Sequence, residues 1–266
     1  MSTYEIERIA ELEWANYAAT AAIAQITPGL ELILRPDAIL SSSEIFPTPD
    51  VNHACLLRAD SQGIDALIDE MVGYYQAKDL LPTIFVSPAC TPADLAERLL
   101  ARGFARQEGA EAWMVVDDIW AAQIPKPSPR IEVREIEPEE ALTVAQVFMT
   151  AFDMSLDFAP AMAQLLAPSV GLPGAHHYLA FLNDEPVGTC SLICHQTFGV
   201  LGSAGVIPSR RGGSAATNLA VRAVFDARQE GVRTLMLQTA AGTLLERFLR
   251  IYGFKTAFTR TGYTLQ

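Results

Sequence analysis

The residues best suited to chemistry lie in one run: Val206-Ile207-Pro208-Ser209-Arg210-Arg211-Gly212-Gly213-Ser214-Ala215-Ala216-Thr217-Asn218-Leu219. It leaves a predicted strand, passes through small residues and opens a predicted helix. Glycines let a backbone turn tightly and approach a ligand closely. Successive free N–H groups, backed by the positive end of a helix, form a cradle for an anion. Arg210 and Arg211 add charge-assisted donors suited to phosphate. The competing reading is a strand-to-helix turn that needs glycine for geometry alone, and spacing by itself does not choose between the two.

The charge distribution points the same way. The 266-residue chain has a net charge of −12, which argues against nucleic acid as a partner. Residues 206–266 nevertheless carry nine Arg/Lys against three Asp/Glu, a net of +6, while residues 1–128 carry a net of −11. Either a phosphate-rich ligand binds in the last 61 residues, or these charges are solvated faces. The four cysteines, Cys55, Cys90, Cys190 and Cys194, have neither CxxC spacing nor a histidine at zinc-ligand distance. The expectation is no metal and buried free thiols in a reducing cytoplasm. No apolar run reaches the ~18–20 residues of a membrane span, and the acidic amphipathic start MSTYEIERIAELEW reads as neither signal nor transit peptide.

The elements that would position the loop follow from periodicity. Before the proline-rich segment 124–129, helices are predicted over 4–26, 62–78 and 92–102, and strands over 30–34, 51–58, 83–86 and 112–116. After it, strands are predicted over 131–136, 177–182, 186–194, 200–207 and 234–239, with further strand at the C-terminus. Helices are predicted over 138–152, 214–229 and 243–252. Alternate prolines stiffen 124–129 into a linker, so the predicted domains are 1–123 and 130–266. The halves share an ending: strand, helix, then Arg102-Gly103-Phe104 in one and Tyr252-Gly253-Phe254 in the other. This weak internal repeat suggests duplication.

The glycine run resembles the acetyl-CoA pyrophosphate loop of the GNAT acetyltransferases, Arg/Gln-x-x-Gly-x-Gly/Ala. The match places Arg211 first and Ala216 last, with Val206, Pro208 and Leu219 in register and Ser214 where the family has its second glycine. Asp184-Glu185-Pro186-Val187-Gly188-Thr189 resembles the turn and strand before the family's central strand. Phe248-Leu249-Arg250-Ile251-Tyr252-Gly253-Phe254 resembles its closing helix and Gly-Phe. Residues 1–123 resemble a degenerate second copy without a phosphate loop, and no acyl-CoA is expected there.

The resemblance implies an α/β fold of tandem GNAT-like domains, each with a central, mixed, twisted sheet flanked by helices. It implies acetyl-CoA as cosubstrate, with pantetheine between strands 200–207 and 234–239. Backbone groups near Ala204, Gly205 and Val206 would meet pantetheine, and Arg211, Gly212, Gly213, Ser214, Ala215 and Ala216 would meet pyrophosphate. The implied reaction is direct acyl transfer to a small or peptide amine in a ternary complex. No nucleic acid or membrane partner is expected, and a homodimer is among the expected states.

The family's proton-transfer residues are missing. Strand 200–207 has no Asp, Glu or His, Leu249 stands at the tyrosine position, and Gly242 replaces the frequent asparagine. Substitutes each carry a plainer reading. His195 would suit a base at the acceptor cleft or be structural, and His176 and His177 read as surface or turn residues. Asp153 and Asp157 would hold a cation or be solvated, Tyr263 would donate a proton, and Tyr252 reads as core. The catalytic residues are therefore unassigned. Proximity alone can carry acyl transfer, so the rival reading, a non-catalytic acyl-CoA-binding or scaffold protein, stays open. A nucleotide-binding protein would need Lys-Ser/Thr after the glycines, which the loop lacks.

Overall fold

In the computed structural model, residues 4–46 and 48–266 are described. Of the predicted N-terminal segment, residues 1–3 lie outside them. The chain forms two compact units, Met1–Val115 with Gln238–Gln266, and Val116–Leu237.

The first unit begins with α1 (Ile6–Ile26), whose Ile9, Leu12, Ala15, Ala19 and Ile23 are buried. It continues through β1 (Leu30–Leu34), β2 (Ile39–Ser43) and β3 (His53–Cys55), then α2 (Ile64–Gln76), β4 (Thr83–Val86), α3 (Leu95–Ala101), β5 (Phe104–Arg106) and β6 (Glu111–Val116). The strand expected over 51–58 is cut to three residues because Leu56 turns left-handed at φ 50°. The helix expected from Pro92 begins at Leu95. The sheet runs β1-β2-β3-β4, with β3 and β4 parallel and α2 crossing between them. The C-terminal strand β12 (Lys255–Leu265) is antiparallel to β4, β5 and β6. It therefore packs in the first unit, although its sequence position had placed it with the second.

A buried charge network sits in this unit. Arg260 of β12 is 5% exposed, stacks over Phe85 and Trp113 at 4.3 and 4.9 Å, and donates to Glu111 (2.5 Å) and Tyr17 (2.7 Å). The Tyr17 hydroxyl in turn meets Nε2 of His53 at 2.5 Å, and Nδ1–H of His53 donates to the Pro49 carbonyl. Ser87 donates to Glu13, which burial pushes above the ordinary carboxylate range.

The second unit contains β7 (Glu132–Glu135), α4 (Ala141–Ala151), α5 (Ala159–Leu166), β8 (Ala175–Leu182), β9 (Glu185–His195), β10 (Phe198–Val206), α6 (Ala215–Gln229) and β11 (Thr234–Ala240) as far as Leu237. Its sheet order is β7-β8-β9-β10-β11, antiparallel except for the parallel pair β10–β11. Side chains alternate across the sheet. Leu179 faces the apolar layer of Val144, Val147 and Leu166. Tyr178 and Gly188 face α6, where Tyr178 donates to Asp226 and Leu219 lies against Gly188.

The proline-rich segment is irregular as predicted, but it is anchored inside the second unit. Buried Asn218 of α6 accepts from the Ser128 amide and donates to the carbonyls of Ser128 and Ile131. Division by packing thus differs from the division at 124–129.

The repeat read from the sequence has a structural basis. α3 ends at Gly103 (φ 87°), and α7 (Leu244–Ile251) at Gly253 (φ 86°). Each glycine adopts the left-handed conformation that closes a helix, and each precedes a buried phenylalanine, Phe104 or Phe254. Among the described residues no helix is long and apolar enough to cross a membrane, and no group of His, Cys, Asp and Glu is placed to hold a metal. All four cysteines are free; Cys194 is half-buried and the others are buried.

Candidate functional site

β10 and β11 pair only at Phe198↔Thr234, Gly199↔Leu235 and Val200↔Met236. From Leu201 onward, β10 keeps β9 as its neighbour and has no pairing with β11. The opening between the two strands coincides with an irregularity in β10. The register with β9 shifts between Gly202 and Gly205, and Ser203 adopts φ 47°. Small residues inside a strand are the sequence signal for such a bulge.

Gly202 and Gly205 meet different surroundings. A Cβ on Gly205 would lie 2.7 Å from Ala151 Cβ and 3.0 Å from Phe152 Cε2, so the end of α4 sits directly on this glycine. A Cβ on Gly202 would meet nothing within 4 Å. Gly202 pairs with Ser191, which pairs with His177, and so it opens toward the α4/α5 side of the sheet. Ala204 is exposed, and Gly205 and Val206 are half-buried, all on the stretch of β10 that has left β11.

The loop beyond β10 begins with a short 3-10 turn, Pro208–Arg210. Gly212 is left-handed at φ 78°. Ser214 precedes α6 without making a side-chain cap. Among the described residues, the amides of Gly212, Gly213, Ser214, Ala215 and Ala216 have no acceptor. A helix N-terminus with amides left free carries partial positive charge and suits an anion.

The arginines do something other than expected. The Arg211 guanidinium donates to the carbonyls of Ala151, the last residue of α4, and Val206. The last carbonyls of a helix are unpaired and carry partial negative charge, which draws the cation there. Arg210 pairs with Glu185 at 2.7 Å. Much of the basic excess is engaged internally too: Arg222 with Asp226, Arg228 with the carbonyls of Ile119 and Ala122, Arg250 with Glu246, and Arg260 with Glu111. In this loop the backbone amides of Gly212–Ala216 are free donors, while each arginine head is partly engaged by the protein itself.

The first unit shows the same architecture closed. After Cys55↔Phe85 the chains stay joined through an Arg58↔Thr91 bridge, with the Thr91 amide donating to Leu57 at 2.9 Å. Before α2, the Asp60 carboxylate accepts from the amides of Gln62 (3.0 Å) and Gly63 (2.7 Å). A protein carboxylate occupies the position an external anion would need.

The substitutes considered for proton transfer scatter. His195 pairs with Phe198, at the end where β10 is still bonded to β11, roughly 10 Å of strand from the opening. His176 is not free at the surface: it meets Glu135 at 2.6 Å and Glu230 at 3.4 Å. His177 is buried rather than superficial. Ser169 donates to Leu166, so His177 Nε2–H donates to Ser169 and its Nδ1 accepts from Ser191. Burial, then the His176 charge, lowers its pKa to about 4.

Asp153 and Asp157 are exposed, and Asp157 accepts from the Ser155 hydroxyl. Tyr263 belongs to the apolar core of the first unit. Leu249 and Tyr252 are half-buried on and just after α7, with the Tyr252 ring 4.9 Å from Phe248. The Gly242 amide donates to Glu246, which Thr256, Gly242 and Arg250 hold at about 2. Sequence reasoning did not single out Ser203, the left-handed residue of β10.

The model of the acetyltransferase (GNAT) family matches residues 143–254. No curated protein matches the chain in sequence. Solved structures share the fold along the whole chain. A GCN5-related N-acetyltransferase from Kribbella flavida has a TM-score of 0.71 at 12% identity, covering 99% of this chain and 96% of that one. A tandem GNAT protein from the clavulanic acid biosynthesis pathway has a TM-score of 0.62 at 16% identity, covering 99% and 96%. A GCN5-related N-acetyltransferase from Sphaerobacter thermophilus has a TM-score of 0.58 at 18% identity, covering 96% and 90%. The fold is therefore that of tandem GNAT-like domains, and residues 143–254 form a domain of the acetyltransferase (GNAT) family.

Proposed function

We propose that this chain transfers an acetyl group from acetyl-CoA to an amine by direct attack in a ternary complex, using the C-terminal copy alone. The observation that carries this is the set of free amides over Gly212–Ala216 at the mouth of the opening beside β10. An anion there gains several N–H donors and the positive end of a 15-residue helix. Ala204, Gly205 and Val206 offer a strand edge for the pantetheine amides, and the space over Gly202 admits the thioester. The proposed duplicated units are 1–123 and 130–266, the first having closed its opening and filled its anion position with Asp60.

The amine would reach the thioester from the α4/α5 side, where Gly202 is open. Holding the two reactants together supplies much of the rate. The rival is a non-catalytic acyl-CoA-binding protein, and one observation favours it: β10 presents no titratable side chain at the opening. Titration calorimetry of the full chain with acetyl-CoA, followed by CoA-thiol release with a panel of alkyl, arylalkyl and peptide amines, tests the proposal. Binding with release supports transfer, and binding without release supports the rival. Absence of binding overturns both.

A further inference from the structure

Ser203 is the one residue of β10 that combines a strained backbone with a protic side chain. It lies between Gly202 and Gly205, where the strand breaks register with β9 and has already left β11. At φ 47° a glycine would sit without strain, and glycines occupy positions 199, 202 and 205 of the same strand. A non-glycine residue held in this conformation points to a function that needs its side chain. The Ser203 hydroxyl is only half-buried and has no hydrogen-bond partner among the described residues.

Other groups near this point are unsuited to moving a proton. Ser203 and Ala204 stand opposite Cys190, whose thiol burial pushes up to about 12. His177 is fully bonded between two serines, and His195 lies at the closed end of the strand pair. Among the described residues of β10, Ser203 is the one protic side chain, and the strand carries no acid or base.

We propose that Ser203 is a catalytic residue that relays a proton during acyl transfer, an inference that rests on the acetyltransferase reading above. The amine arrives neutral, its ammonium proton already lost to water. Its nitrogen attacks the thioester carbonyl carbon, so a C–N bond forms and the C–S bond breaks. The Ser203 hydroxyl gives its proton to the departing sulfur while Oγ takes the proton released by nitrogen. The products are an amide and the CoA thiol, with serine unchanged. No group carries net charge through the relay, which suits a site without an acid–base pair. Proton transfer by a positioned group is worth ~100- to 10,000-fold in rate.

The test compares wild type, Ser203→Gly and Ser203→Ala by acetyl-CoA calorimetry, thermal melting and single-turnover transfer to the best amine of the panel. Ser203→Gly relieves the backbone and removes the hydroxyl. It should melt no lower than wild type, bind acetyl-CoA within about twofold, and transfer at least ~10-fold more slowly. Ser203→Ala should lose a similar factor. In mixtures of H2O and D2O the wild-type rate should show two protons in flight and the glycine variant should not. Full transfer by Ser203→Gly, or an unchanged isotope profile, overturns the relay and leaves the acetyltransferase reading intact. Wild type that binds acetyl-CoA but transfers to no amine also overturns the relay. Wild type that does not bind acetyl-CoA removes both.

Discussion

Arg211 and Asp60 hold matching places, each three residues before the residue that caps its helix, Ser214 for α6 and Gly63 for α2. One closes its helix N-terminus and the other leaves it open, so Arg211→Asp should convert the second state into the first. The new carboxylate would accept from the amides of Gly213 and Ser214, as Asp60 accepts from Gln62 and Gly63. A bound pyrophosphate would lose two charge-assisted contacts, each ~1.5–3 kcal/mol. The sum of ~3–6 kcal/mol corresponds to a ~100- to 10,000-fold weaker Kd. Stability should change little, because the new cap contributes about 1 kcal/mol while the bonds from Arg211 to Ala151 and Val206 are lost. Arg211→Ala is the control: it loses the same bonds but leaves the amides free, and should weaken binding tenfold or less. Calorimetry with CoA and thermal melting measure both. Folded Arg211→Asp with wild-type affinity would refute the anion-cradle assignment, and equal losses in the two variants would return the role to the guanidinium.

Three further outcomes follow from other parts of the fold. Gly205→Val should destabilise the chain by about 1–3 kcal/mol and weaken CoA binding, because Ala151 Cβ lies 2.7 Å from any added Cβ; an unchanged urea midpoint would show that α4 yields freely. Arg260→Met should cost about 3–5 kcal/mol by leaving buried Glu13 and partly buried Glu111 without their cation; a loss below ~1 kcal/mol would mean the network tolerates its removal. The third outcome concerns pH. His177 is held neutral by burial, its pKa lowered from 6.5 to about 4. The stability this contributes is full above pH 6.5, is lost as pH falls toward 4, and is flat below, a total of roughly 3 kcal/mol. His177→Gln should flatten that part of the stability–pH curve in urea titrations, leaving the slope from His53, which burial and Arg260 lower to about 3. An unaltered curve would mean that His177 is protonated in the fold.

Local features were legible in the sequence because their causes are local. The glycine run marked the turn before α6, helical spacing marked α2 and α6, and the paired Gly-Phe endings marked two helix ends of like conformation. β2, β5 and α5 were missed, two of them for local reasons as well. β2 reads ILSSS, whose serines carry little strand preference. α5 carries Pro160 in its first turn and Pro168 follows its end, and the two prolines read as loop. What the sequence hid concerns partners distant in it. The carbonyl that Arg211 meets is 60 residues away, a partner that the spacing of arginine and glycines could not name. Strand-like spacing in β12 could not say that its neighbours are β4, β5 and β6.

The two copies also show how little sequence separates an open site from a closed one. Their strand pairs and crossover helices correspond, yet each difference at the site rests on one or two residues. Thr91 bridges to Arg58 and keeps the first pair joined, whereas Ser203 turns left-handed where the second pair has parted. The carboxylate of Asp60 accepts from the amides of Gln62 and Gly63 just before α2, whereas the arginine at the corresponding place reaches back to the end of α4 and leaves the amides of Gly213 and Ser214 before α6 unpaired. A helix N-terminus of either copy would attract an anion, and what decides between them is whether the chain supplies one itself.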